Sequence, residues 1–158
     1  MKLTEIVARG GIIPRLNATT RDEAIAELID RLIECGAVAQ SLRQDLINAI
    51  IAREKKGTTG FGKGVALPHV RIGMIKDMVA AVGISEDGID FNALDREPVY
   101  SVFLLLSPDE KQDDHLRAME IIFKNISQPK FRSFLRQAST TEEVQSLLED
   151  ADNQALTG

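Results

Sequence analysis

The chain has 158 residues, of which 44% are hydrophobic and 27% charged, and this composition is typical of one globular domain with a sizeable core. A net charge of -5 and an aromatic content of 4% argue against binding to a nucleic-acid backbone or stacking on bases. No apolar run approaches the roughly 20 residues of a membrane span, and the N-terminal segment lacks a secretory signal, so we expect no membrane insertion. The single cysteine, Cys35, cannot form a disulfide within the chain, which fits the reducing cytoplasm. We interpret Cys35 as a small buried residue near a helix end and not as a nucleophile.

Two amphipathic helices are predicted in the first third of the chain. The first begins after Thr20, which has capping-box spacing to a glutamate, and ends at Gly36. The second begins at Ser41, again at capping-box spacing, and ends at Gly57. Before them a short strand can form, and Pro14 restricts it to the edge of a sheet.

Three short β-type runs follow, over 65–67, 78–84 and 99–106. The last run is almost continuously apolar, as expected for a central strand covered on both faces. Between the second and third runs, Asp87-Gly88 is the strongest turn signal.

The last part of the chain is predicted to be helical. One helix opens near His115, with Leu116 and Phe123 on its apolar side; a second begins at Pro129 and a third after Thr140. Helices, then strands, then helices indicate a sheet with helices on both faces. We expect one domain over residues 1–150 and a polar C-terminal tail over 151–158.

The segment GTTGFGKGVALPHVRIG, residues 57–73, contains a near match to a nucleotide-binding loop. Gly57, Gly62 and Lys63 have the required spacing, but Gly64 stands where a hydroxyl must bind magnesium. A phosphate-binding loop of that kind leaves a strand and opens a helix, whereas this segment leaves a helix and enters a strand. A connector with tight turns and close backbone approach is the better interpretation.

No metal or cofactor site is predicted. Cys35, His69 and His115 have no spacing that is typical of metal ligands. The chain also lacks the G-x-S-x-G elbow of a serine hydrolase.

The two histidines are the candidates for chemistry. His69 follows Pro68, which restricts the preceding Leu67 to extended conformations, so its side chain can be aimed at a cleft. His115 is expected to open a helix after the longest strand, and strand ends beside a helix N-terminus can hold an anionic group. From the residues alone, the two can share one pocket, or each can be a satisfied structural histidine.

The segment from Glu54 resembles the phosphorylation-site signature of enzyme IIA domains of the mannitol/fructose class. These domains belong to the phosphoenolpyruvate-dependent sugar phosphotransferase system and to its nitrogen-related branch. The positions that match the signature are Glu54, Phe61, Gly62, Val65, Ala66, Leu67, Pro68 and His69. The resemblance extends over about residues 3–150.

The resemblance implies that the fold is a three-layer α/β/α sandwich with a mixed β-sheet. It also implies three site residues. His69 matches the histidine that is phosphorylated, and His115 matches the second active-site histidine. Arg53 matches an arginine near the phosphoryl group, where its fixed charge and forked donors suit phosphate oxygens. Val70 departs from the pattern, which has a small residue there. Its stiff branched side chain would narrow the choice of partner or slow transfer, or it would mark a copy kept for regulation.

The resemblance also implies partners. The phosphoryl donor would be the histidine-containing phosphocarrier protein, and the acceptor an enzyme IIB component, in the cytoplasm and without a metal or cofactor. An alternative is a regulatory protein of the nitrogen-related branch whose phosphorylation state controls other proteins. A relative that has lost phosphorylation is disfavoured, because Arg53, His69 and His115 are all present.

Overall fold

A computed structural model describes residues 1–153. The helices are α1 Leu3–Ile6, α2 Arg21–Glu34, α3 Arg43–Lys56, α4 Gln112–Ile126, α5 Pro129–Gln137 and α6 Thr141–Asp152, with a 3₁₀ turn at Gln40–Leu42. The strands are β1 Val7–Ile13, β2 Gly60–Gly62, β3 Val65–Ala66, β4 His69–Ile72, β5 Val79–Ile89 and β6 Val99–Pro108. Within the described residues, no helix combines the length and apolar character that a bilayer crossing requires.

The six strands form one mixed sheet in the order β1-β5-β6-β3-β2, with β4 also paired to β6. Strand β6 lies at the centre: it runs antiparallel to β5 and parallel to both β3 and β4. Its residues are almost all buried, as its continuous apolar sequence predicts. Strand β1 lies at an edge, parallel to β5, and ends before Pro14, so the predicted edge strand is confirmed.

Helices cover both faces of the sheet. Buried side chains of α1, α4, α5 and α6 form one core cluster with one face. Those of α2 and α3 form a second cluster with the other face. The three-layer α/β/α sandwich with a mixed sheet is therefore confirmed.

Of the five predicted helix starts, the one at Ser41 is wrong and the other four are confirmed, including the start of α4 near His115. The hydroxyls of Thr20 and Thr140 each accept a hydrogen bond from the backbone N–H three residues later, and Pro129 occupies the first turn of α5. Ser41 is not a cap, because it lies within the 3₁₀ turn and α3 begins only at Arg43.

Two further expectations are corrected. Asp87-Gly88 does not end β5, which continues to Ile89; Gly88 has φ of 89° and the pairing register shifts, so the turn signal marks a bulge. The buried face of α4 is also rotated from the predicted one, leaving Leu116 51% and Phe123 46% exposed.

The C-terminal boundary is later than predicted. Helix α6 runs to Asp152, and Ala151 is buried against the core. The Asp152 carboxylate accepts hydrogen bonds from the backbone N–H groups of Leu3 at 2.6 Å and Thr4 at 3.2 Å, which ties the last helix to the first. Residues 151 and 152 therefore belong to the domain, and 154–158 of the predicted tail lie outside the described residues.

Candidate active site

His69 lies on a nearly continuous strand that proline interrupts. Strands β3 and β4 both pair with β6, and the register does not change between them. Pro68 separates them, because it has no N–H to give to β6, although its carbonyl still accepts from the N–H of Leu105 at 3.0 Å. His69 is thus the first residue of β4 rather than the end of a strand, which corrects its predicted position.

Alternation along β4 sorts its side chains onto two faces. His69 and Arg71 share one face of the strand. Val70 and Ile72 point to the other face, where they pack against the core cluster of α2 and α3. The branched side chain of Val70 therefore points away from the face of the strand that carries His69.

A main-chain carbonyl orients the His69 ring. The ring nitrogen Nδ1 lies 2.7 Å from the carbonyl oxygen of Leu67. A carbonyl can only accept, so Nδ1 carries the proton and donates it. In the neutral ring the lone pair is then on Nε2, which has no hydrogen-bond partner among the described residues.

The second histidine is close to the first. His115, in the first turn of α4, is only 7% exposed, and its ring centroid lies 5.6 Å from that of His69. Its Nδ1 is 2.7 Å from the hydroxyl of Ser107, a fully buried residue of β6. The two histidine rings therefore lie side by side, as one of the two alternatives left open by the sequence requires.

Both histidines favour the neutral state at pH 7. Burial is the main cause that lowers the pKa of His69, and the positive charge of Arg53 acts in the same direction. Burial, with smaller effects from His69 and Arg71, lowers the pKa of His115 to about 4.

Arg53 reaches the site from the last turn of α3. Its guanidinium Nη1 donates to the Gly57 carbonyl at 3.0 Å, which holds the side chain over the start of the glycine segment. Beside it, the Glu54 carboxylate is buried and accepts from both the N–H, at 3.2 Å, and the hydroxyl of Thr59. This Glu54–Thr59 clasp folds the chain back after the helix and keeps Arg53 near His69.

The glycine segment forms a β-hairpin. Strands β2 and β3 pair antiparallel around Lys63 and Gly64, which both have positive φ, 61° and 79°. Two successive left-handed residues are typical of a tight two-residue hairpin turn. Gly60 allows close approach, because an added Cβ would lie 2.9 Å from the Ala93 side chain. The connector interpretation is confirmed, and no helix follows the segment to form a phosphate-binding loop.

Sequence reasoning missed two residues of the site, Ser107 and Arg71. Arg71 could have been found from its spacing of two from His69, which places both on one face of a strand. Ser107 carries no such signal, because its importance depends on β6 and α4 meeting at a sharp turn.

The chain is similar to known proteins over almost its whole length. The model of the family "Phosphoenolpyruvate-dependent sugar phosphotransferase system, EIIA 2" matches residues 5–151. A nitrogen regulatory protein of Bradyrhizobium diazoefficiens is 31% identical over 148 residues, which cover 94% of this chain and 95% of the relative. A fructose-specific EIIABC component of Bacillus subtilis is 26% identical over 96% of this chain, but the chain spans only 24% of that relative.

Solved structures show the same fold. Nitrogen regulatory protein IIA-Ntr from Neisseria meningitidis has a TM-score of 0.81 and 30% identity, and the alignment covers 91% of this chain and 97% of that one. IIA mannitol from Escherichia coli has a TM-score of 0.74 over 90% of this chain and 98% of its own, at 19% identity. The family match over almost the whole length, with these relatives, shows that the chain belongs to the EIIA 2 family of the phosphoenolpyruvate-dependent sugar phosphotransferase system.

Proposed function

We propose that this chain is a phosphocarrier that receives a phosphoryl group on Nε2 of His69 and passes it to an enzyme IIB component. The donor in this proposal is the histidine-containing phosphocarrier protein, itself carrying a phosphohistidine. The observation that carries the proposal is the orientation of His69: Nδ1 is bound to the Leu67 carbonyl, which leaves the Nε2 lone pair free beside His115.

The transfer step balances without a metal or an added base. Nε2 of His69 attacks the phosphorus atom as the P–N bond to the donor imidazole breaks, and that imidazole leaves with the electron pair. The donor ring carries a proton on its other nitrogen, so it leaves as a neutral imidazole. His69 keeps its proton on Nδ1 and becomes a phosphorylated imidazolium, so one positive charge moves from the donor ring to His69 together with the phosphoryl group. Because one phosphoramidate replaces another, the free-energy change is small and the step can run in either direction.

Charge stabilisation is the main catalytic requirement, since phosphoryl transfer has a loose transition state. If the Ser107 hydroxyl donates to Nδ1 of His115, then Nε2 of His115 carries a proton that it can donate to a phosphoryl oxygen. Arg53, whose charge acts on His69, and Arg71, whose charge acts on His115, supply positive charge for the phosphoryl oxygens.

The acceptor and the compartment complete the proposal. A cysteine thiolate or a histidine nitrogen of a downstream enzyme IIB component would form the new bond to phosphorus as the P–Nε2 bond breaks, and His69 would leave as the neutral imidazole. We place the reaction in the cytoplasm, because the chain has a single cysteine and needs no oxidising compartment. The fructose-specific relative from Bacillus subtilis supports this transport role.

A regulatory function is the second candidate. Relatives named as nitrogen regulatory proteins are 36% identical over 110 residues in Pseudomonas aeruginosa and 30% identical over 156 residues in Escherichia coli. In this case the same phosphohistidine would control binding to other proteins and would not be passed on.

A reconstituted relay tests the proposal. The chain is incubated with phosphoenolpyruvate, enzyme I and the phosphocarrier protein, and acid-labile phosphate on the chain is followed over time. We expect label that depends on all three components; a chain that stays unlabelled would contradict the proposal. Adding candidate IIB components then separates the two functions, because label that moves on indicates transport and label that stays indicates regulation.

A further inference from the structure

A cavity lies between α5 and the β2–β3 hairpin, and neither histidine lines it. Its volume is about 560 Å³, within the range of small-molecule sites. Its lining includes Gly64 and Val65 of the hairpin. His69 lies four positions after Val65 along the strand, a distance of roughly 13 Å at the usual rise per residue. A ligand in this cavity would therefore not touch the proposed phosphorylation site.

Three cationic side chains converge on this cavity. Lys63 approaches from the hairpin turn, and Arg132 and Arg136 approach from α5. No carboxylate side chain is among its lining residues, and none of the three cations forms an ion pair with another described residue. In a chain with a net charge of -5, such a cluster of one sign is unexpected for an ordinary solvated surface.

The fold holds these cations in place. Lys63 has φ of 61°, and its backbone N–H donates to the Asp95 carboxylate at 2.9 Å, which fixes the hairpin turn. Arg132 donates to the Ile126 carbonyl at 3.1 Å, and the Arg136 guanidinium lies 3.5 Å from the ring centroid of Tyr100. Both arginines are therefore positioned before any ligand binds, which lowers the entropy cost of binding.

The helix presents a polar face to the same cavity. The lining residues of α5 recur at helical spacing: Pro129, Arg132, Ser133, Arg136 and Gln137. The guanidinium groups offer forked donors, Lys63 offers a compact charge, and Ser133 offers a hydroxyl, a set that suits phosphate oxygens.

We propose that this cavity, bounded by Lys63, Arg132 and Arg136, binds a small phosphorylated metabolite. A small anion is favoured over an acidic macromolecule because the rest of the chain is acidic and would repel a large polyanion. The inference is independent of His69 chemistry, so it is tested on the unphosphorylated His69→Ala variant.

The test uses inorganic pyrophosphate as the probe. Binding is measured by calorimetry and by amide chemical shifts at constant ionic strength. We expect a dissociation constant below about 1 mM, with shifts in the hairpin turn and in α5. Lys63→Gln and Arg136→Gln should each weaken binding about tenfold, which corresponds to the loss of one charge-assisted contact.

Lys130→Gln is the matched control, because Lys130 is exposed on the same helix but does not line the cavity. Lys63→Gln should leave the hairpin turn intact, because the backbone N–H of Lys63, and not its side chain, donates to Asp95. The proposal is overturned if pyrophosphate causes no shifts at 10 mM or if Lys130→Gln weakens binding as much as Arg136→Gln. It is equally overturned if pyrophosphate fails to bind while Lys63→Gln weakens binding of a IIB component, because the cations would then serve protein docking.

Discussion

Two hydrogen bonds set the chemistry of the two histidines. The Leu67 carbonyl fixes the proton of His69 on Nδ1, and the Ser107 hydroxyl can fix the proton of His115 on Nε2. The first ring therefore presents a lone pair, and the second presents a donor when the Ser107 hydroxyl donates to its Nδ1. Rings 5.6 Å apart leave room for phosphoryl oxygens to contact both.

We expect His115→Ala to accept phosphate on His69 but to transfer it poorly. Loss of one positioned donor to a developing charge typically costs about 100-fold or more in rate. Rapid-quench measurement of both half-reactions checks this, and transfer at the wild-type rate would show that His115 has no catalytic role.

Ser107→Ala tests the tautomer argument separately. Without the hydroxyl, the His115 proton is free to move to Nδ1, so we expect slower transfer, in the same direction as His115→Ala but smaller. Ser107→Thr keeps a hydroxyl and should retain more of the rate. Equal rates for wild type and Ser107→Ala would mean that this hydroxyl does not set the tautomer.

Arg71→Gln should slow phosphoryl acceptance about tenfold, because a charge-assisted hydrogen bond to an anionic oxygen is lost. Arg71→Lys keeps the charge and should recover part of the rate. Arg9→Gln is the matched control, since Arg9 is an exposed arginine on β1 at the opposite edge of the sheet. An Arg71→Gln rate equal to that of Arg9→Gln would remove Arg71 from the site.

The signature around His69 allowed the sequence to name His69, His115 and Arg53 as site residues, but not all the residues beside them. Ser107 could not be predicted, because its contact depends on the tertiary approach of β6 and α4. The expectation for Val70 treated adjacent residues as neighbours in space, whereas alternation along a strand places their side chains on opposite faces.

The connection between α3 and β3 positions the arginine and the histidine together. The Glu54–Thr59 clasp reverses the chain, and the β2–β3 hairpin returns it to β6. The capping residues predicted the starts of α2 and α6. The turn signal at Asp87-Gly88 did not predict the end of β5, because antiparallel pairing with β6 continues beyond this turn-like sequence.

Thr59→Val should loosen this connection. The buried Glu54 carboxylate loses its hydroxyl partner, which costs about 1–3 kcal/mol in the free energy of unfolding. Denaturant unfolding measures this loss, and the phosphorylation rate should fall with it because Arg53 is less firmly held. Thr59→Ser restores the hydroxyl and should recover both values; a Ser variant as impaired as Val would mean that the clasp is not responsible.

Packing of helices against both faces of the sheet makes the stability of the fold sensitive to acid, because it buries the imidazole ring of His115. His115 has a folded-state pKa of about 4, below the ordinary value of 6.5 that the unfolded chain has. Between these values the unfolded state binds a proton that the folded state does not. Stability is therefore unaffected above about pH 6.5 and falls as the pH drops from 6.5 towards 4.

His115→Gln should remove this part of the acid sensitivity. We expect the wild type to lose more free energy of unfolding between pH 7 and pH 5 than the variant does. Chemical denaturation at both pH values gives the comparison, with pH 7 and pH 8 as the interval in which neither protein should change for this reason. A variant that loses as much as the wild type would contradict the assigned burial effect.

The most direct test of the whole account is to locate the phosphoryl group. After labelling through enzyme I and the phosphocarrier protein, nitrogen and phosphorus NMR of the intact chain identify the modified ring atom. We predict a single phosphohistidine, on Nε2 of His69, present in His115→Ala and absent in His69→Ala. Label on Nδ1, label on His115, or equal label in His69→Ala would contradict the account.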